Sequence, residues 1–144
     1  MDHSADTIPV ILSECRTIAV VGFSVKPERP SHYVAGYLQQ HGYRIVPVNP
    51  GLGGTRQLGE ICYASLTEAA DALRKKGVSI DIVDCFRRSE TIEPIAEEAV
   101  AIGARCLWMQ LGVVNENAEA MAQAAGLAVV MDHCIKIEHA NLSG

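Results

Sequence analysis

Thr17-Ile18-Ala19-Val20-Val21-Gly22, continued by Phe23-Ser24-Val25-Lys26-Pro27-Glu28-Arg29-Pro30-Ser31, is the stretch whose reading decides the fold. Its first part is short, continuously apolar and rich in β-branched residues, as a strand buried on both faces of a parallel sheet requires. A glycine ends it. A polar loop then leads to Ser31, read as the N-cap of a helix on which Val34, Tyr37, Leu38 and His41 share one face. Strand, glycine turn and helix form the first half of a β-α-β unit, because parallel neighbours can be joined only by a crossover.

The same kind of apolar run recurs at residues 43–48, 80–85, 106–109 and 127–131. Helical spacing lies between the runs. After Thr91, residues Ile92, Ile95, Ala96, Ala99 and Val100 form an apolar stripe, with Pro94 tolerable in the first turn, and an Ala-rich helix is expected over 116–125. Gly42, Gly77, Gly103 and Gly126 each stand just after a helical pattern and just before a strand, where a left-handed helix terminator belongs. Together these features predict an α/β fold: a single Rossmann-like, doubly wound parallel sheet with helices on both faces. Residues 61–63 read as a short extra strand, and the segment after Asp132 as a terminal helix or turn.

Composition limits the function. The 144 residues suit one domain, spanning 1–144; 49% are apolar and 20% charged, which is globular composition. A net charge of −5 argues against a broad nucleic-acid platform, so ligands are to be sought in clefts. No apolar run approaches a membrane span, and the acidic start has no secretory pattern. Cys15, Cys62, Cys85, Cys106 and Cys134 are odd in number, widely spaced and mostly within apolar runs. They fit neither a disulfide framework nor a zinc ribbon; reduced thiols and a cytoplasmic location are the expectation.

In doubly wound sheets the ligand sits at the carboxyl ends of the strands, where the strand order reverses. Those ends carry the 22–31 loop and Cys85-Phe86-Arg87-Arg88. The loop leads into a helix N-terminus, whose free N–H groups suit a phosphate. Lys26, Arg29, Arg87 and Arg88 add charge, and the arginine fork matches phosphate oxygens. The loop is not the dinucleotide fingerprint, because Ser24 and Pro27 stand where its second and third glycines belong. The second strand also ends in Asn49 and not in the acid that would hold an NAD ribose. There is no G-x-x-x-x-G-K-[ST], so residues 51–54 read as a flexible connection.

Several ordered motifs carry a resemblance. Ala19-Val20-Val21-Gly22-Phe23-Ser24, Arg29-Pro30-Ser31, residues 42–50, Asp84-Cys85-Phe86-Arg87-Arg88, Trp108-Met109-Gln110-Leu111-Gly112 and Val130-Met131-Asp132-His133-Cys134 resemble the small stand-alone CoA-binding proteins. These are similar to the CoA-binding domain of the succinyl-CoA synthetase alpha subunit. The likeness runs over a core of about 17–140. It implies coenzyme A or an acyl-CoA as ligand, with phosphates against the first loop and adenosine near the strands that end at Asn49 and Cys85. By that resemblance Gly22, Ser24, Lys26, Arg29, Ser31, Asn49, Phe86 and Arg87 are candidate contacts, with Phe23 of the same motif and Arg88 beside Arg87. It covers only the coenzyme-binding part of that synthetase and implies no ligase chemistry.

Candidate catalysts are weaker than candidate binders. Cys134, beside His133, reads as packing; His133, Glu138 and His139 lack the spacing of a helical zinc site, so no metal ligand is assigned. Asp84 is expected to orient Arg87 or Arg88, or to accept backbone bonds. Trp108, Met109 and Gln110 read equally as cleft lining and as core. No residue is assigned a catalytic role. Three readings stand: a CoA-binding module without catalysis, which is preferred; a small enzyme acting on acyl-CoA, for which Asp84, Cys134 and His133 are the available groups; and a regulatory domain responding to NAD or another adenine nucleotide. The protein partner is unknown.

Overall fold

The computed structural model describes residues 4–142; the start of the chain, residues 1–3, lies outside them. Five strands, β1 (Thr17–Val21), β2 (Arg44–Val48), β5 (Ile82–Cys85), β6 (Cys106–Met109) and β7 (Ala128–Val130), form a sheet in the order β2-β1-β5-β6-β7, with every pair parallel. A small antiparallel hairpin, β3 (Arg56–Gln57) and β4 (Glu60–Ile61), stands apart from it. The expected doubly wound α/β sheet is what forms.

Strand side chains alternate between two cores. Ile18, Val20, Ile45, Ile82, Cys106 and Trp108 face α1 (Ser4–Glu14), α2 (Pro30–Gln40) and α6 (Ile135–Leu142). Ala19, Val21, Val46, Val83, Leu107 and Met109 face α3 (Leu66–Arg74), α4 (Ile92–Ala101) and α5 (Glu116–Ala124). Burial on both faces is why each strand is apolar without a break. The glycines at 42, 77, 103 and 126 all adopt positive φ at helix ends.

The structure departs from the sequence reading in several places. Ser31 is not the N-cap. The helix begins two residues earlier than that cap implies, at Pro30, whose fixed φ and missing N–H suit the first helical position, leaving Arg29 as a cap without a side-chain bond. The buried face of α2 is Ser31, Val34, Ala35 and Leu38, and His41 lies beyond the helix end. The segment around residue 61 is half of the hairpin, and Tyr63 makes only an isolated parallel bridge to Val48. Residues 51–54 are not a loose connection: Pro50–Leu52 is a 3-10 turn, and a Cβ on Gly53 would stand 3.0 Å from that of Ala64. The helix α1 was not anticipated, although Ile8, Ile11, Leu12 and Cys15 have helical spacing and are all buried.

Candidate functional site

β1 and β5 are neighbours, but the chain leaves β1 for β2 on one side and returns to β5 on the other. Their carboxyl ends therefore diverge into loops on opposite sides, which opens a crevice at the switch point. A cavity of ≈ 780 Å³ lies there. Gly22, Ser24, Lys26, Arg29, Ser31, Phe86, Arg87 and Arg88 line it, so residues about sixty positions apart in the sequence meet.

Gly22 makes the approach feasible. Its φ is +91°, and a Cβ there would stand 2.4 Å from the Phe86 carbonyl oxygen and 2.8 Å from Arg87 Cδ. The following loop is held by side chains. Ser24 N–H donates to Ser31 Oγ at 2.9 Å and Lys26 N–H to Ser24 Oγ at 3.2 Å. The Ser31 hydroxyl thus ties the loop to the first turn of α2. Both serines have structural partners and still border the cavity.

Lys26, Arg29 and Arg87 make no ion pair among the described residues, and Arg88 makes only an exposed contact to Glu90, at 3.7 Å. Three unpaired cations around one concave surface attract an anion, and because they are exposed, salt will screen that attraction.

Two expected residues stand outside the cavity wall. Phe23 is fully buried in the core under α2, on the same side as Ile18 and Val20, because the positive-φ Gly22 breaks the strand's alternation. Asn49 uses its amide inside the protein: Nδ2 donates to the Phe23 carbonyl and Oδ1 accepts from Gly51 N–H, both at 2.8 Å. It pins the β2 loop to the β1 loop. Asn49→Asp is therefore expected to destabilise the fold by about 1–3 kcal/mol, since a carboxylate oxygen would then face a carbonyl. Urea unfolding checks this; unchanged stability would return Asn49 to the ligand.

Cavity residues that the sequence did not single out come from α2, α6 and the loop after β6. They include Tyr33, Val113 and Ile137; Val34 and Leu111, named above only as a helix-face and a motif residue, and Cys134, weighed above as a reactive thiol and lying just before α6, line it too. Of the strand-end group, Gln110 lines the cavity, whereas Trp108 and Met109 are fully buried and Trp108 Nε1 donates to the His133 carbonyl at 2.8 Å.

The remaining reactive groups are partnered within the fold or buried in it. His133 Nδ1 lies 3.3 Å from Glu138 Oε2, while His139 Nδ1 lies 2.9 Å from the Tyr37 hydroxyl. Burial raises the thiol pKa of Cys15 and Cys62, and raises those of Cys85 and Cys106 well above the usual value. Asp84 neither orients an arginine nor accepts a backbone bond. It is fully buried with both carboxylate oxygens unpartnered, and burial holds its pKa well above the ordinary carboxylate range. Asp81 does accept backbone bonds, from Arg16 and Thr17 at 2.9 and 3.0 Å, at the opposite end of the sheet. No helix among the described residues is long and apolar enough to cross a membrane.

Known proteins resemble this chain in sequence and in fold. The Bacillus subtilis (strain 168) protein YneT, described as uncharacterized, is 42% identical over 133 residues, covering 92% of each chain. A hypothetical protein from Pyrococcus horikoshii OT3 superposes with a TM-score of 0.85 at 35% identity, covering 96% of this chain and 92% of its own. A Thermus thermophilus protein, cell-free ID.343, gives 0.82 at 33% identity over 99% of both chains. Residues 16–140 match the family model described as a CoA binding domain, a span that takes in the whole sheet and the cationic crevice, and the chain belongs to that family.

Proposed function

We propose that the crevice between the β1 and β5 ends binds coenzyme A or an acyl-CoA, and that the chain is a binding module without catalysis of its own. The observation that carries this reading is the group of three unpaired cations, Lys26, Arg29 and Arg87, around one cavity beside the amino end of α2. A ligand bearing several phosphates neutralises all three, and each arginine can make charge-assisted bonds to phosphate oxygens. Membership of a CoA-binding family supports the choice among phosphate ligands. Among the described residues the wall holds no Asp, Glu or His, and Lys26, Tyr33 and Cys134 are the proton-exchanging side chains it offers.

Calorimetric titration with CoA tests the reading. Arg87→Ala and Arg29→Ala are each expected to weaken CoA by about 1.5–3 kcal/mol, the scale of a charge-assisted bond. Unchanged affinity in both would place the phosphates elsewhere. Dephospho-CoA and NAD serve as comparison ligands: tighter binding of NAD than of CoA would favour a nucleotide-responsive domain. Turnover of acetyl-CoA would make the chain an enzyme.

A further inference from the structure

The cations form only part of the cavity wall. Tyr33 and Val34 of α2, Leu111 and Val113 after β6, and Ile137 of α6 supply an apolar part. Tyr33, Leu111 and Ile137 are 46%, 66% and 52% exposed. Three large apolar side chains held in solvent around one cavity leave surface that an apolar ligand group would cover.

Gln110 adds a polar requirement beside them. It is only 6% exposed and lines the cavity. Its Oε1 accepts the Ile135 N–H at 3.1 Å. A backbone N–H can meet only the amide oxygen, so this contact fixes which way the amide points and makes Nε2 the remaining donor. Nε2 has no partner among the described residues. The wall thus offers an oriented N–H donor next to an apolar surface. A carbonyl followed by an apolar chain satisfies both, whereas a free thiol provides neither a good acceptor nor apolar area.

We propose that this part of the cavity is an acyl site, and that the ligand is a CoA thioester of an apolar acyl group. Gln110 Nε2 donates to the thioester carbonyl oxygen, and Tyr33, Leu111 and Ile137 cover the chain. The proposal rests on the coenzyme reading above.

Calorimetric titration of the full chain with CoA, acetyl-CoA and hexanoyl-CoA separates the two. Hexanoyl-CoA is expected to bind roughly tenfold or more tighter than CoA, with acetyl-CoA between them, because each added methylene covers apolar surface. The Leu111→Ser/Ile137→Ser double variant alters exposed positions, so it should fold, and the hexanoyl-to-CoA affinity ratio should fall towards one. Gln110→Glu keeps an oxygen for the Ile135 N–H and replaces the donor by a second oxygen. It should weaken hexanoyl-CoA about tenfold more than CoA, the scale of one hydrogen bond lost and one repulsion gained. Equal affinities for CoA and hexanoyl-CoA in the unaltered protein, or an undiminished ratio in the double variant, would overturn the acyl site while leaving the coenzyme reading intact. If neither ligand binds, both fail.

Discussion

Gly22→Ala is expected to lower the unfolding free energy by about 3–5 kcal/mol, the largest effect of any glycine-to-alanine change among the described residues. Two costs add. A residue with a Cβ at φ +91° is strained, on the order of 1–2 kcal/mol. The Cβ would also stand 2.4 Å from the Phe86 carbonyl oxygen, a backbone atom of the adjacent strand end that cannot swing aside like the tip of a side chain. Relief requires β1 and β5 to separate, which strains the Phe86 N–H bond to the Val21 carbonyl between them, at 2.9 Å, and displaces Gly22 from the Val48 carbonyl at the end of β2, to which its N–H donates at 3.0 Å. The same displacement moves Arg87, whose Cδ crosses the glycine at 2.8 Å from that position. Urea unfolding should show the loss, and CoA affinity should fall in whatever fraction remains folded. Stability within about 1 kcal/mol of the unaltered protein would mean that the two loops part without cost.

Asp84→Asn is expected to do the opposite at neutral and alkaline pH and to make the protein more stable. The Asp84 carboxyl is buried with no hydrogen-bond partner, and burial raises its pKa in the folded protein well above the ordinary carboxylate value. In the unfolded chain it ionises near that ordinary value. Between the two pKa values the folded state holds a proton that the unfolded state has released, so stability falls as pH rises through this window, by about 1.4 kcal/mol per pH unit. Below the unfolded pKa both states are protonated and this loss is absent. Asparagine is similar in size and neutral throughout, so its advantage should grow from about pH 4 upwards and be absent below it. His139 titrates in the other direction, its pKa lowered by burial and by His41. That contribution makes stability fall with acid, but it is common to both proteins and cancels in the comparison. Unfolding curves at about pH 4 and pH 8 decide the matter: a stability difference that is the same at both would show that Asp84 does not titrate in this way. Because Asp84 is not part of the cavity wall, CoA affinity should be unaffected.

Much of the architecture was legible because it depends on local, repeated patterns. Strands β1 and β6 begin where the apolar runs begin, and the stripe Ile92, Ile95, Ala96 and Ala99 is the buried face of α4. That the loops after β1 and β5 line one cavity was legible for a related reason, because ligands in doubly wound sheets sit where the strand order reverses. The errors fell where two local preferences competed. Pro30 took the helix start from Ser31, and the freed hydroxyl found the Ser24 N–H across the loop. Asn49 is a candidate contact through the family resemblance. Its amide joins two loops, a partnership that composition does not reveal.

The sequence by itself determined the alternation of buried strands with amphipathic helices, the glycine at which β1 ends and the concentration of cations after β1 and β5. Hydrophobic period and backbone preference act over a few residues, so each is readable in its own segment. Only the tertiary structure decided which segments face one another. The crossover that places β5 beside β1 brings Arg87 to Arg29, and the return of α6 across α2 brings Ile137 to Tyr33. The same packing seals Asp84 in the core and turns the free donor of Gln110 towards the cavity, by fixing its oxygen on the Ile135 N–H. Burial and hydrogen-bond partners are properties of neighbours distant in the chain, which sequence spacing does not specify.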